Sequence, residues 1–211
     1  MAKQRLKSPR VRLFTALDLP TDVRAGLERW QARECADQAL RPVAPDALHV
    51  TLCFLGYHPE RAIGGIAELL AAVDPRPVPM RFEPNPVGIS GRRPGLYAIS
   101  SPSDAAVELQ RELGSMLAAD RLYKAEKRPF WPHVTVARVR PERRPKGDPS
   151  RRQRGRPRVV ERLPGPLPSE LLGPFGSVRV ALYLSHLRPS GAEYERLAVL
   201  ELPPATSGRE R

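Results

Sequence analysis

Two stretches of this chain spell nearly the same word. Leu48-His49-Val50-Thr51-Leu52 and Pro132-His133-Val134-Thr135-Val136 each set a histidine and a threonine two residues apart inside an apolar run. Such runs read as β-strands, whose side chains alternate between faces. His49 and Thr51 therefore share one face, and Val50 and Leu52 the other. The same division sets His133 and Thr135 against Val134 and Val136. Each strand buries an apolar face and turns a His/Thr pair the opposite way. If the strands lie side by side or symmetrically, four polar groups converge on one cleft. A single His-x-Thr would mean little, because threonine is common in strands; the repetition is what points to a site.

The rest of the chain supplies elements around these two strands. Residues 12–19 alternate as a strand, and Thr21 or Asp22 is placed to cap a helix carrying Val23, Leu27 and Trp30 on one face. The first His-x-Thr strand, residues 48–55, is expected to stop at Gly56. Residues 59–73 form a second helix striped by Ile63, Ile66, Leu70 and Val73. Short strands are predicted at 78–84 and 95–100. Ser103 caps a third helix over 104–119, and strands follow at 132–139, 177–187 and 193–202. Helices and paired strands together indicate α+β, or α/β with a mostly antiparallel sheet.

Charge narrows the partner. The chain carries 35 Lys+Arg against 23 Asp+Glu, a formal net charge of +12. Residues 138–162 hold eleven basic residues against three acidic ones and so carry +8 of that total. This balance favours an anionic partner, nucleic acid above all. The arginine- and proline-rich part, residues 141–166, reads as an inserted, solvated loop that can gather RNA through its phosphates. Residues 1–10 read as a basic tail, 11–202 as one domain, and 203–211 as a frayed tail. No apolar run is long enough to span a membrane, and the basic start lacks the core of a secretory signal, so a cytoplasmic location is expected. Cys35 and Cys53, the only cysteines, are expected to be free thiols, and no structural zinc site is expected. No signal for oligomerisation is found, so a monomer is expected.

A cleft with two histidines suits phosphodiester cleavage, which needs a base to activate the nucleophile and an acid to protonate the leaving oxygen. Imidazoles titrate near neutrality, so two of them can hold opposite protonation states at one pH. Threonine hydroxyls beside them can hydrogen-bond the non-bridging phosphate oxygens. The scheme requires no metal or cofactor. His58 and His186 lack this context and are read as structural.

With these residues in view, the chain resembles the two-histidine phosphoesterases, specifically the RNA 2',3'-cyclic phosphodiesterases also called 2'-5' RNA ligases. The resemblance rests on RLFTALDLP, LHVTLCFLG, RPFWPHVTVAR (with Arg128 and Arg138) and VALYLSHLRPSGAEYERL, over about residues 11–202. It implies an α+β fold built as a two-lobed, pseudo-symmetric duplication. Antiparallel sheets flanked by helices would enclose a central cleft. It implies His49 as proton donor to the leaving ribose oxygen, His133 as the base acting on water, and Thr51 and Thr135 on the phosphate. It places Arg128 and Tyr97 among substrate-binding candidates, although Tyr97 can equally pack in the core. Trp131 would line the cleft mouth. Alternation puts Cys53 on the face of His49, as a small semi-buried filler. The implied substrate is RNA ending in a 2',3'-cyclic phosphate, opened to a 2'-phosphomonoester, together with reversible 2'-5' RNA ligation. The same charge and cleft also fit a non-catalytic RNA-binding module. A metallohydrolase fits less well, for want of acidic or cysteine partners near the histidines.

Overall fold

In a computed structural model of the protein, residues 9–89, 92–142, 155–188 and 191–205 are described. The centre of the arginine-rich stretch and most of both tails therefore lie outside the described residues. The elements run β1 (Arg10–Asp18), α1 (Thr21–Glu34), β2 (Leu40–Pro42), β3 (His49–Pro59), α2 (Ala62–Ala71), β4 (Pro79–Met80), β5 (Val87–Ile89), β6 (Leu96–Ser100), α3 (Asp104–Ala119), β7 (His133–Val139), β8 (Phe175–Gly176), β9 (Arg179–Arg188) and β10 (Gly191–Glu201). The fold is α+β. The main sheet runs β10-β9-β1-β3-β7-β6-β5 with every pairing antiparallel, and β2 adds to β7. The two His-x-Thr strands meet at its centre through a single residue pair, Val50 and Val134, the middle residues of the two words. That joint divides the sheet into two lobes.

The lobes repeat a strand–helix–strand unit, β1–α1–β3 and β6–α3–β7. The register repeats as well. Asp18, Leu17 and Ala16 face His49, Val50 and Thr51 in the first lobe. Ser100, Ile99 and Ala98 face His133, Val134 and Thr135 in the second. Val50, Val134, Leu17 and Ile99 are fully buried and join one core that spans both lobes. The helices cross over within it. Gln31 of α1 donates its Nε2 hydrogens to carbonyls on β7 and just beyond β2, while Gln110 of α3 lies 4.0 Å from Cys53 of β3.

Several boundaries differ from expectation. Neither Thr21 nor Asp22 caps α1; Pro20 is its N-cap residue, and no side-chain cap bond forms. Ser103 does cap α3, accepting from the Ala106 N–H at 3.1 Å. β3 runs through Gly56 to Pro59 because Gly56 takes a φ of +79° at a register shift, a geometry open to glycine. This extension delays α2 to Ala62. Residues 78–84 contribute only β4. The short strands β2, β5 and β8 carry no alternation long enough to announce them.

Candidate active site

His49, Thr51, His133 and Thr135 all line one cleft of about 520 Å³. The two words reach it as alternation requires. Val50, Leu52, Val134 and Val136 are buried on the helix side, and the histidines and threonines are half-exposed on the other. Because the joint at Val50–Val134 is antiparallel, His49 lies toward Thr135 and His133 toward Thr51. Each histidine thus shares the cleft with a threonine of the opposite lobe as well as its own.

Both imidazoles are fixed from behind. His133 Nδ1 lies 2.7 Å from the Trp131 carbonyl, which can only accept. Nδ1 therefore carries the hydrogen in the neutral ring, and Nε2 keeps a free lone pair. The Trp131 indole stacks on the ring at 4.4 Å and 18°, and donates its own N–H to Ser100 Oγ at 3.2 Å. His49 has the equivalent arrangement on the other lobe. Its ring bonds the Ala47 backbone, also two residues back, and its Nε2 lies 3.1 Å from Thr51 Oγ1. Phe14 stacks on it at 5.0 Å, and Tyr194 meets it edge-on at 5.4 Å. Behind this aromatic group, Tyr183 donates its hydroxyl to Asp18, which also pairs with Arg179 and Arg196.

The environments of the two histidines differ. Burial, then the positive Arg138, then His133 push the His49 pKa down to about 4, against the smaller opposing effect of the Ala47 bond. With its pKa held this low, His49 is uncharged at neutral pH.

Strict alternation misplaces four residues, Cys53, Phe54, Ala137 and Arg138, for one physical reason. β3 has a register shift between Thr51 and Cys53, and β7 has the matching shift between Thr135 and Ala137. Each shift inserts one residue and keeps two successive side chains on the helix side. Cys53 therefore does not share the face of His49. It is buried toward α3, where burial raises its thiol to about 11 and makes it a poor nucleophile at neutral pH. The residues that return to the cleft are Phe54 and Arg138, at the same offset from their histidines. Phe54 is 54% exposed, an unusual state for a phenylalanine. Arg12 and Arg41 complete a cationic rim. Of these, Arg138 stands out in the sequence, three positions after Thr135 in the flank of the second motif.

Two sequence candidates lie elsewhere. Tyr97 pairs with Ala137, on the helix side of the shift, and is 5% exposed. It lines a separate groove with Gly88 and Pro94, and its neighbour Leu96 faces the cleft instead. Packing is thus the reading that holds for Tyr97. Arg128 is exposed on the loop between α3 and β7 and is not among the cleft-lining residues. Cys35 and Cys53 are both free and buried. Among the described residues, no three His, Cys, Asp or Glu side chains group as metal ligands, and no helix is long and apolar enough to cross a membrane.

Comparison with known proteins matches this architecture. The family model of the 2'-5' RNA ligase superfamily matches residues 19–152. An RNA 2',3'-cyclic phosphodiesterase of Escherichia coli (strain K12) is 30% identical over 127 residues, 60% of this chain and 71% of that protein. One from Archaeoglobus fulgidus is 27% identical over 201 residues, covering 90% of this chain and all of that protein. Among solved structures, the apo form of Escherichia coli LigT shares the fold with a TM-score of 0.70 at 24% identity, covering 92% of this chain and 99% of that one. A structure from Thermus thermophilus has a TM-score of 0.69 at 26% identity, covering 90% of this chain and 97% of that one. The family model covers more than half of the chain, and the chain carries both His-x-Thr strands in one cleft; it belongs to the 2'-5' RNA ligase superfamily.

Proposed function

We propose that the protein opens 2',3'-cyclic phosphates at RNA ends to 2'-phosphomonoesters, with its two histidines as acid and base. The observation that carries this reading is the convergence of both His/Thr pairs on one arginine-rimmed cleft. The names of the relatives in Escherichia coli and Archaeoglobus fulgidus support the same activity.

The step runs as an in-line displacement. His133 Nε2, free because Nδ1 is held by the Trp131 carbonyl, takes a proton from water as its oxygen bonds to phosphorus. The bond from phosphorus to O3' breaks, and protonated His49 gives its proton to that oxygen. Thr51 and Thr135 hold the non-bridging oxygens, and Arg138 offsets the charge that builds on them. The exposed Phe54 ring offers a surface on which the terminal base can stack. A 5'-hydroxyl end in place of the water would be joined to the cyclic phosphate with the same roles, and the reverse of that ligation, attack of O3' on the 2'-5' linkage, would exchange them. One chain carries both words, so the proposed site is complete without a second chain.

The test is an assay on an oligoribonucleotide ending in a 2',3'-cyclic phosphate, with the product read by phosphorus NMR. The expected product is the 2'-phosphomonoester. His49→Ala and His133→Ala should each lower kcat by about 10²- to 10⁴-fold. Full turnover in either variant would overturn the assignment, and a 3'-phosphate product would overturn the choice of leaving oxygen. Tight, salt-sensitive binding with no hydrolysis would instead identify a binding module.

A further inference from the structure

A second cavity, of about 660 Å³, opens beside the cleft and shares Arg41 and Arg138 with it. Arg140 and Arg158 continue its lining away from the histidines. We infer that Arg41, Arg138, Arg140 and Arg158 form a track for the phosphates of the nucleotides preceding the reacting end, so that the protein is built for oligonucleotides rather than mononucleotides. This rests on the phosphodiesterase reading above.

Three observations support the track. First, Arg41 and Arg138 are direct cross-strand partners on β2 and β7. Two guanidinium groups side by side where the two cavities meet present donors from both strands to one phosphate. Second, several carboxylates are committed to arginines outside the row. Arg179 and Arg196 pair with Asp18, Arg188 with Glu193, Arg76 with Glu112 and Arg93 with Glu142. Among the described residues, Arg138, Arg140 and Arg158 pair with no carboxylate, and the neighbouring Glu142 is taken by Arg93. Asp37, also close by, instead accepts from the backbone N–H groups of Glu161 and Arg162. Third, the track is held by backbone. The Arg140 N–H donates to the Ala39 carbonyl at 2.7 Å, and the Arg158 N–H to the Arg140 carbonyl at 3.0 Å. This fixes Arg140 beside Arg158 and both beside β2. A row of arginines along one groove, starting at the reacting phosphate, matches a polyanion of regularly spaced charges. Such contacts hold the strand without reading its sequence.

The experiment compares a 2',3'-cyclic mononucleotide with a short oligoribonucleotide ending in the same group. The variants are Arg158→Gln, and Arg140→Gln combined with Arg158→Gln. Arg158→Gln alone guards against a folding effect, because the Arg140 guanidinium also bonds the Leu40 carbonyl. The double variant should lose about 10-fold or more in kcat/KM on the oligonucleotide and less than about two-fold on the mononucleotide. Its log–log salt dependence of oligonucleotide binding should flatten by about 1.4, for two lost contacts to a single strand. An equal loss on both substrates, or no loss on either, overturns the track. If the unaltered protein hydrolyses neither substrate, the phosphodiesterase reading fails and the track is judged by binding. About 10-fold weaker anisotropy-measured affinity of the double variant for the labelled oligonucleotide keeps the track; unchanged affinity overturns it.

Discussion

His49 presents a problem of sign. A proton donor must hold its proton, yet burial, Arg138 and His133 hold this ring near pKa 4. A phosphodiester carries the charge that reverses two of these effects, since it screens Arg138 and gives the imidazolium a partner. The donor is therefore expected to acquire its proton as substrate enters. NMR titration of the His49 ring should give a pKa of about 4 in the free protein and a value at least about one unit higher with inorganic phosphate bound. A pKa that phosphate leaves unmoved would remove His49 from the donor role. The same depression has a consequence for stability. Between about pH 6.5 and 4 the unfolded chain protonates this histidine while the folded one does not. The contribution is present above pH 6.5 and is lost as pH falls, by up to about 3 kcal/mol. Denaturant unfolding at pH 7 and at pH 4.5 should show a smaller acid loss in His49→Gln than in the unaltered protein; equal losses would contradict it. The histidines and threonines were legible from the chain because their chemistry and spacing are local. The electrostatics were not, because Arg138 belongs to a distant segment brought in by β7.

At the level of elements, the decisive features are the two register shifts. Residue types at Leu52, Cys53, Val136 and Ala137 are ordinary for strands, so nothing in them announces an inserted residue. Alternation counted from His49 consequently carried Cys53 onto the face of the histidine. The shift in β7 does have a visible support. The Val136 carbonyl accepts from Gln31 Nε2 at 2.6 Å and from the Val43 N–H at 2.9 Å. Gln31 is 3% exposed in the last turn of α1, an expensive place for an amide that has no partner. It shares the Val136 carbonyl with the Val43 N–H and also donates to the Val43 carbonyl at 3.0 Å, tying α1 to β7 beside the shift. Gln31→Leu should cost about 1–3 kcal/mol in thermal or denaturant unfolding. It should also lower kcat/KM by several-fold, because Arg138 follows two residues after Val136. A variant that loses stability while keeping full kcat/KM would show that the aim of Arg138 is independent of this carbonyl.

Across the whole molecule, a sheet joined at one residue pair would be a weak hinge if each lobe packed only on itself. The helices prevent this. α1 follows a strand of the first lobe yet bonds to β7, and α3 follows a strand of the second yet lies against β3. One continuous core results, running from Leu13 and Leu27 through Val50 and Val134 to Leu109 and Leu113. The duplication was legible in the repeated word and in the resemblance it carries. The crossing of the helices was not, since an apolar helix face does not name the strand that it will cover. Crossing predicts that the lobes unfold together. Leu113 is fully buried on α3, the helix that packs against β3, so Leu113→Ala should destabilise by about 2–5 kcal/mol. Both tryptophans lie away from that contact, Trp30 buried on α1 and Trp131 stacked on His133 at the start of β7. If the core is one cooperative unit, the fluorescence midpoint in denaturant must shift as far as the far-UV circular dichroism midpoint. A circular dichroism transition that moves ahead of an unshifted fluorescence transition would mean that the lobes are coupled only through Val50 and Val134. Substrate would then meet its two histidines on halves free to separate.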